Sequence, residues 1–250
     1  MYQLTKYDRQ MLEVTKCWSV EQLVSTGRVV VVIPVYNEAE VVVDVIDEVS
    51  RAGNYLLVVV DDGSHDETYQ RICQKDVVAI RHKINRGKGA AVKTGITAAC
   101  RLNGDIVVTM DGDGQHDPLD IPQLIQPILE EGYDVVLGSR LINHTGMPLM
   151  KVIANRIGNL CTWLFYGLLV TDSQSGFRAY SRFAAMIIDT KADKYEYDSK
   201  VLREIKNNRL KYIEVPIKVR YTDYSRNKPQ KQGMINGLKT VWRMIWDLVA

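Results

Sequence analysis

The segment VTMDGDGQHDP (107–117) runs from apolar residues into carboxylates: Val107, Val108 and Met110 precede Asp111, Asp113 and Asp117, with Gln115 and His116 between them. Carboxylates this close repel one another unless a positive group sits among them. An Asp-x-Asp pair at the end of a buried strand suits a hard divalent cation, Mg2+ or Mn2+, bound through oxygen and shared with substrate phosphates. Gln115 can add a neutral oxygen to those of Asp111 and Asp113. Two more acidic loops accompany this one, Pro34-Val35-Tyr36-Asn37-Glu38 and Asp61-Asp62-Gly63-Ser64. Singly, an Asp or Ser ahead of a helix is usually a cap. Three such loops at one sheet edge would repel one another without a counterion or a donor-rich ligand. A fourth segment, NRGKGAAVKTG (85–95), sets glycines and Lys88 at a helix start, a suitable seat for an anionic ligand. It lacks the GK[ST] of a Walker A motif.

These loops converge only if the strands before them share a sheet. VVVVI (29–33) is continuous, β-branched and unalternating, as in a strand buried on both faces of a parallel sheet. LLVVV (56–60), DIVVTM (105–110) and DVVLG (134–138) repeat the pattern, and VVAI (77–80) is a weaker case. Helical stretches near 38–51, 66–75, 87–101 and 119–131 separate them. The alternation predicts an α/β fold: one Rossmann-like, open, mostly parallel sheet flanked by helices. Ligands bind such sheets at the carboxyl ends of the strands, where the acidic loops fall.

The rhythm changes near residue 140. A helical stretch over 148–169 carries its apolar residues on one face; a short GFRAY strand, a helix near 197–207, a strand near 211–219 and a last helix from 232 follow. Residues 1–27 read as a helical extension, with Ser19 and Gln22 spaced as a capping box. The expected organisation is that extension, one catalytic domain over 28–230 and a C-terminal amphipathic helix over 231–250. The domain divides into a nucleotide-type half (28–117) and a substrate-type half (118–230). The last helix aligns Met234, Leu238, Val241, Ile245 and Leu248, with Trp242 beside them and Lys239 and Arg243 off the stripe. That pattern suits either a membrane interface or packing on the domain.

Net charge is only +2 over 250 residues, which gives no field for nucleic acid. Cys17, Cys73, Cys100 and Cys161 are widely spaced with no CxxC pair, as expected of reduced thiols rather than a disulfide framework or zinc site. No run reaches the roughly 18–20 apolar residues that span a bilayer. Residues 1–27 lack the basic-then-apolar pattern of a secretory leader. The expectation is a cytoplasmic protein attached peripherally to the cytoplasmic face of a membrane.

IPVYNEAE, VVDDGSHDET, NRGKGAAVKTG, MDGDGQHDP, GSR and DSQSGFRAY occur in the order seen in family 2 glycosyltransferases. Over roughly residues 28–230 the chain resembles the dolichyl-phosphate mannose synthase branch, which includes polyprenyl-phosphate glucosyl- and N-acetylhexosaminyl-transferases. The resemblance implies a GT-A fold, a GDP- or UDP-linked sugar donor, a divalent metal and inversion at the anomeric carbon. It also implies that Pro34, Tyr36 and Glu38 hold ribose and base, and that Asp61 and Asp62 form the nucleotide-binding acidic pair. Asp111, Asp113 and Gln115 match the metal ligands, and Arg140 matches an acceptor-phosphate arginine. Lys151 and Arg156 complete that acceptor site. Asp172 and Gln174 lie in the sugar-side loop, and Arg226 and Lys228 in a basic loop closing over the diphosphate. Pro229 stands there where many relatives have glycine. Asp113, Arg140 and Asp172 are thereby expected at the reacting centre.

A polyprenyl or dolichyl phosphate brings its own nucleophile, an oxygen already anionic at neutral pH because the second phosphate pKa is about 6. The acceptor side then needs cations rather than a base. The sequence predicts transfer of a single hexose (mannose, glucose or N-acetylhexosamine) to such a phosphate. A rival with the same fold would use a sugar hydroxyl and want a carboxylate base. A nucleotidyltransferase would want a glycine-rich loop in place of PVYNEAE, and a non-catalytic nucleotide-binding module has no need of the DxD. The chain lacks the QxxRW of processive family 2 enzymes, so polymer synthesis is not expected.

Overall fold

The computed structural model describes residues 12–16, 28–142, 159, 163–164, 167–190, 197–220 and 224. Its strands are β1 (Leu12–Lys16), β2 (Val29–Val35), β3 (Leu56–Asp61), β4 (Val78–His82), β5 (Ile106–Thr109), β6 (Val135–Ser139), β7 (Arg178–Ser181) and β8 (Tyr212–Pro216). They form one sheet in the order β1-β4-β3-β2-β5-β7-β6-β8. Strands β4, β3, β2 and β5 are parallel neighbours, as are β6 and β8. Strand β7 runs antiparallel between β5 and β6, and β1 antiparallel along β4.

The unalternating valine runs are explained by helices on both faces. On one face Val30, Val32, Val58 and Val60 pack against α3 (Lys88–Arg101), α5 (Arg182–Ile187) and α6 (Tyr197–Asn207), through Ala91, Val92, Ala184, Val201 and Leu202. On the other, Val31, Ile33 and Val59 meet α1 (Val42–Ala52), α2 (Thr68–Ile72) and α4 (Ile121–Glu131), through Val45, Ile46, Val49, Ile72 and Leu124. Each fully buried aliphatic side chain contributes about 1.5–3 kcal/mol, so a polar residue on either face of β2 would be costly. Gly95 lets α3 lie close on the sheet: a Cβ there would stand 2.2 Å from Val32 Cγ1 and 3.2 Å from Val60 Cγ2.

One expectation is corrected outright. Residues 12–16 form a strand, not part of a helical extension, pairing from Leu12 with His82 to Lys16 with Val78. Strand β4 would otherwise leave an open edge, and covering it satisfies backbone groups that a helix would leave exposed. The rest of residues 1–27, its capping box included, and the C-terminal helix expected over 231–250 lie outside the described residues. Within the expected 148–169 helix, residues 159, 163 and 164 are helical. Gly167, at φ +67°, ends it before 169 by donating its N–H to the Trp163 carbonyl at 2.7 Å. Helix α5 was not legible in advance; Ser181 caps it, its hydroxyl accepting from the Ala184 N–H at 3.1 Å.

Candidate active site

The acidic loops do meet at the carboxyl edge of β2, β3 and β5. Pro34 lies within β2 opposite Val60, and the chain turns at Asn37, whose φ is 54°. Glu38 is buried behind that turn, where its Oε2 accepts the Tyr224 hydroxyl at 2.8 Å. Burial, with Glu38 beside it, pushes the Tyr224 phenol upward. The Tyr36 ring lies edge-on to His65, centroids 6.4 Å apart.

The second loop is held by its own carboxylates. Asp61 is fully buried; its Oδ1 accepts the Ser64 N–H at 3.0 Å and the Ser64 hydroxyl, and Arg81 Nε lies 3.2 Å from Oδ2. Burial nonetheless pushes the Asp61 carboxyl up. Asp62 accepts the Arg86 N–H at 3.0 Å and the Gly87 N–H at 2.7 Å, while His82 Nδ1 stands 2.6 Å from its Oδ1. His82 Nε2 lies 3.0 Å from the Thr94 hydroxyl, so an Asp62-facing Nδ1–H is the tautomer that satisfies both ring nitrogens. The glycine-rich start of α3, where an anionic ligand was expected, thus already holds an anion of the chain itself: Asp62.

The third loop answers what positive group sits among the carboxylates. Lys88, the first residue of α3, places Nζ 2.8 Å from Asp111 Oδ1 and 3.3 Å from Asp198 Oδ2. His116 is buried against Phe177, its Nε2 3.6 Å from Asp111 Oδ2. Burial opposes ionisation of Asp111, but Lys88 and His116 outweigh it and hold the carboxyl far below its ordinary range. Burial likewise opposes the Lys88 charge, and Asp111 and Asp198 outweigh it in turn. Gly176 makes room for the pair, since a Cβ there would lie 2.8 Å from both Lys88 Nζ and Asp111 Oδ1.

Asp113 remains open. Its Oδ1 accepts only the Gln115 N–H, at 3.1 Å, and neither its Oδ2 nor the Gln115 side chain has a partner among the described residues. Asp111, Asp113 and Gln115 offer hard oxygen donors of the kind Mg2+ or Mn2+ takes, and so fit such an ion. The described residues contain no cluster of three His, Cys, Asp or Glu able to hold a metal alone. A donor set this small leaves coordination positions to be filled by a substrate that shares the cation. The loop is stitched from behind: Arg220 N–H donates to the Gln115 carbonyl at 2.8 Å, and its guanidinium bridges Glu48 at 2.6 Å and Asp117 at 2.7 Å.

Beyond β6, Arg140 and Asp172, expected to contact different substrates, contact each other. Nε and Nη2 of Arg140 lie 2.6 and 2.8 Å from the two Asp172 oxygens, a bidentate pair. Despite burial, Arg140 holds the Asp172 carboxyl below its ordinary value. Nη1 of Arg140 has no partner among the described residues. The Gln174 amide donates to the Ser199 hydroxyl at 3.3 Å. Arg178, missed in the sequence because GFRAY reads simply as strand, is fully buried and donates to the Ser173, Ser175 and Asp198 carbonyls. Asp198 was missed too, because an Asp-Ser at a helix start reads as a cap. Lys151, Arg156, Arg226 and Lys228 lie outside the described residues.

Residues 30–186, more than half the chain, match the family model described as Glycosyl transferase family 2. The chain is a family 2 glycosyltransferase. This glycosyltransferase is 36% identical over 236 residues to the UDP-N-acetylglucosamine–dolichyl-phosphate N-acetylglucosaminyltransferase of Methanococcus voltae, covering 86% of this chain and 93% of that one. It is 29% identical over 205 residues to the polyprenol monophosphomannose synthase of Mycolicibacterium smegmatis, covering 77% of each. Among solved structures it is similar to glucosyl-3-phosphoglycerate synthase of Mycobacterium tuberculosis in complex with Mn2+, UDP and glucosyl-3-phosphoglycerate. The TM-score is 0.63 at 25% identity, over 92% of this chain and 81% of that one. The fold of this glycosyltransferase is accordingly GT-A. No helix among its described residues is long and apolar enough to cross a membrane.

Proposed function

We propose that this glycosyltransferase moves one hexose from a UDP-linked donor to a polyprenyl or dolichyl phosphate, with inversion and with Mg2+ or Mn2+ as cofactor. The similarity to the dolichyl-phosphate N-acetylglucosaminyltransferase favours UDP-N-acetylglucosamine as the first donor to try. The observation that carries the acceptor is the state of the site's carboxylates. Asp172 is clasped by Arg140, and Asp198 by Lys88 and Arg178. A hydroxyl acceptor needs a base to take its proton; Asp172, locked to a guanidinium and held below its ordinary pKa, is a poor one, and Asp198 is already committed to two cations.

Asp111, Asp113 and Gln115 would hold the cation, which when bound neutralises charge on the departing diphosphate. Arg140, itself oriented by Asp172, offers Nη1 to the acceptor phosphate. A phosphate oxygen attacks the anomeric carbon from the face opposite the diphosphate, and the carbon–oxygen bond to the diphosphate breaks, its electron pair leaving with the nucleotide. No proton needs to move. Pro34, Tyr36 and Glu38 would line the nucleotide end, with Asp61 and Asp62 shaping the loop beneath it rather than reaching across. Lys151, Arg156, Arg226 and Lys228 are the further cations expected around the two phosphates. A lipid acceptor places the protein on a membrane surface, at the cytoplasmic face.

The test is a panel of UDP- and GDP-sugars incubated with a short polyprenyl phosphate, and in parallel with the matching polyprenol, scored for lipid-linked sugar with Mg2+, Mn2+ or chelator. Product from the phosphate alone, lost in chelator, is expected. Comparable rates on the polyprenol would end the phosphate-acceptor reading.

A further inference from the structure

Asp198 lies far along the sequence from the DxD loop, on a helix of the substrate half, yet it shares a cation with that loop. Its Oδ2 is 3.3 Å from Lys88 Nζ, its Oδ1 is 3.7 Å from Arg178 Nη2, and it is 6% exposed. Lys88 stands between Asp198 and Asp111, in a space that exists because Gly176 has no side chain. The Lys88 side chain is 24% exposed, so its ammonium has little water to fall back on. A poorly hydrated charge left without a partner is strongly disfavoured. If a divalent cation takes Asp111, it competes with Lys88 for that carboxylate, and two positive charges on one ligand repel.

Resting on the metal reading given above, we propose that Asp198 is a positioning residue that receives the Lys88 ammonium when a divalent cation binds Asp111. Lys88 then serves as an exchangeable counterion. It holds the Asp111 carboxylate in place before the cation arrives, and afterwards moves wholly onto Asp198. Arg178 fixes Asp198 for this purpose from behind, through the ion pair and through the Asp198 carbonyl at 3.0 Å. Without the Asp198 carboxylate, Lys88 would have only Asp111 and would resist the incoming ion.

The experiment measures Mn2+ binding directly, by loss of the free-ion EPR signal, to the full chain with UDP present. Wild type, Asp198→Asn, Lys88→Met and the double variant are compared. Asp198→Asn should weaken Mn2+ binding on the order of tenfold. On the Lys88→Met background the same substitution should change it by less than about threefold, because no ammonium remains to be received. Unchanged binding in Asp198→Asn, or an equal loss on both backgrounds, overturns the proposal; the second result would mean that Asp198 acts by its own charge. Should Asp198→Asn fail to fold, the wild-type crystal structure with Mn2+ and UDP decides. Lys88 Nζ is expected on Asp198 and withdrawn from Asp111, and Lys88 still seated on Asp111 beside the ion refutes the exchange. No Mn2+ binding by wild type would instead remove the metal reading itself.

Discussion

Arg140 grips Asp172 through two nitrogens, at 2.6 and 2.8 Å, and also donates its backbone N–H to the same carboxylate at 3.1 Å. On the proposed function, one contact therefore serves stability and acceptor binding together. Arg140→Ala leaves the buried Asp172 carboxylate with backbone N–H partners but no counter-charge, which costs about 3–5 kcal/mol of stability. In the protein that still folds, kcat/KM for polyprenyl phosphate should fall about 10- to 150-fold, while donor KM hardly moves. Denaturant melts and acceptor-dependent kinetics separate the two effects.

The same pair predicts an acid limit. The Asp172 and Asp111 carboxyls are held below their ordinary value in the folded chain, so unfolding takes up protons where free aspartate titrates. Their contribution is complete above roughly pH 5, and is lost as pH falls below about 4 toward the folded-state pKa values. Melting temperature should drop over that window, and should drop less steeply in Asp172→Asn.

Asp113→Asn should lose roughly 100-fold or more of the transfer rate while changing stability by no more than about 1 kcal/mol, because its only bond among the described residues is to the Gln115 N–H. Isothermal titration with Mn2+ and UDP should show the lost affinity directly. Near-normal transfer by this variant would remove Asp113 from the metal set.

Asp62→Ala separates a loop-building role from a nucleotide-contacting one. It would strand His82 and the N–H groups of Arg86 and Gly87 together, so a loss of about 3 kcal/mol or more in urea unfolding is expected. A variant of full stability with only a raised donor KM would show that Asp62 binds nucleotide instead.

Gly176→Ala introduces a Cβ 2.8 Å from Lys88 Nζ and from Asp111 Oδ1. Overpacking of this kind costs about 1–3 kcal/mol. Because the displaced atoms belong to the site, Mn2+ affinity should fall along with the melting temperature, whereas Gly132→Ala, where a Cβ meets nothing, should leave Mn2+ affinity alone.

The sheet was legible because β2, β3 and β5 are buried on both faces and spell that burial as unbroken valine and isoleucine. Strand β1 was not, because LEVTK is stabilised by pairing along β4 rather than by a pattern of its own. The DxD and its glycines were readable from spacing. Its counterion Lys88 was seen, but as a phosphate ligand, since its carboxylate partners come together only when α3 and α6 share one face. The same holds for Arg140 and Asp172. Each invited a substrate contact when read alone, and a separation of 32 positions along the chain hid that they bind one another. The local signal at Asp198 was that of a helix start, which says nothing of a shared lysine.

Gly95 has a consequence for the chemistry at the other end of its helix. Lys88 and Gly95 belong to one rod, about 10 Å apart at roughly 1.5 Å of rise per residue. The contact of Gly95 with Val32 sets how deep that rod sits, and so where the ammonium reaches. A methyl group added at this position, which would press first on Val32 and Val60, would act as a lever. The strength of cation binding at the proposed site would thus respond to a change inside the hydrophobic core, with every liganding side chain unaltered.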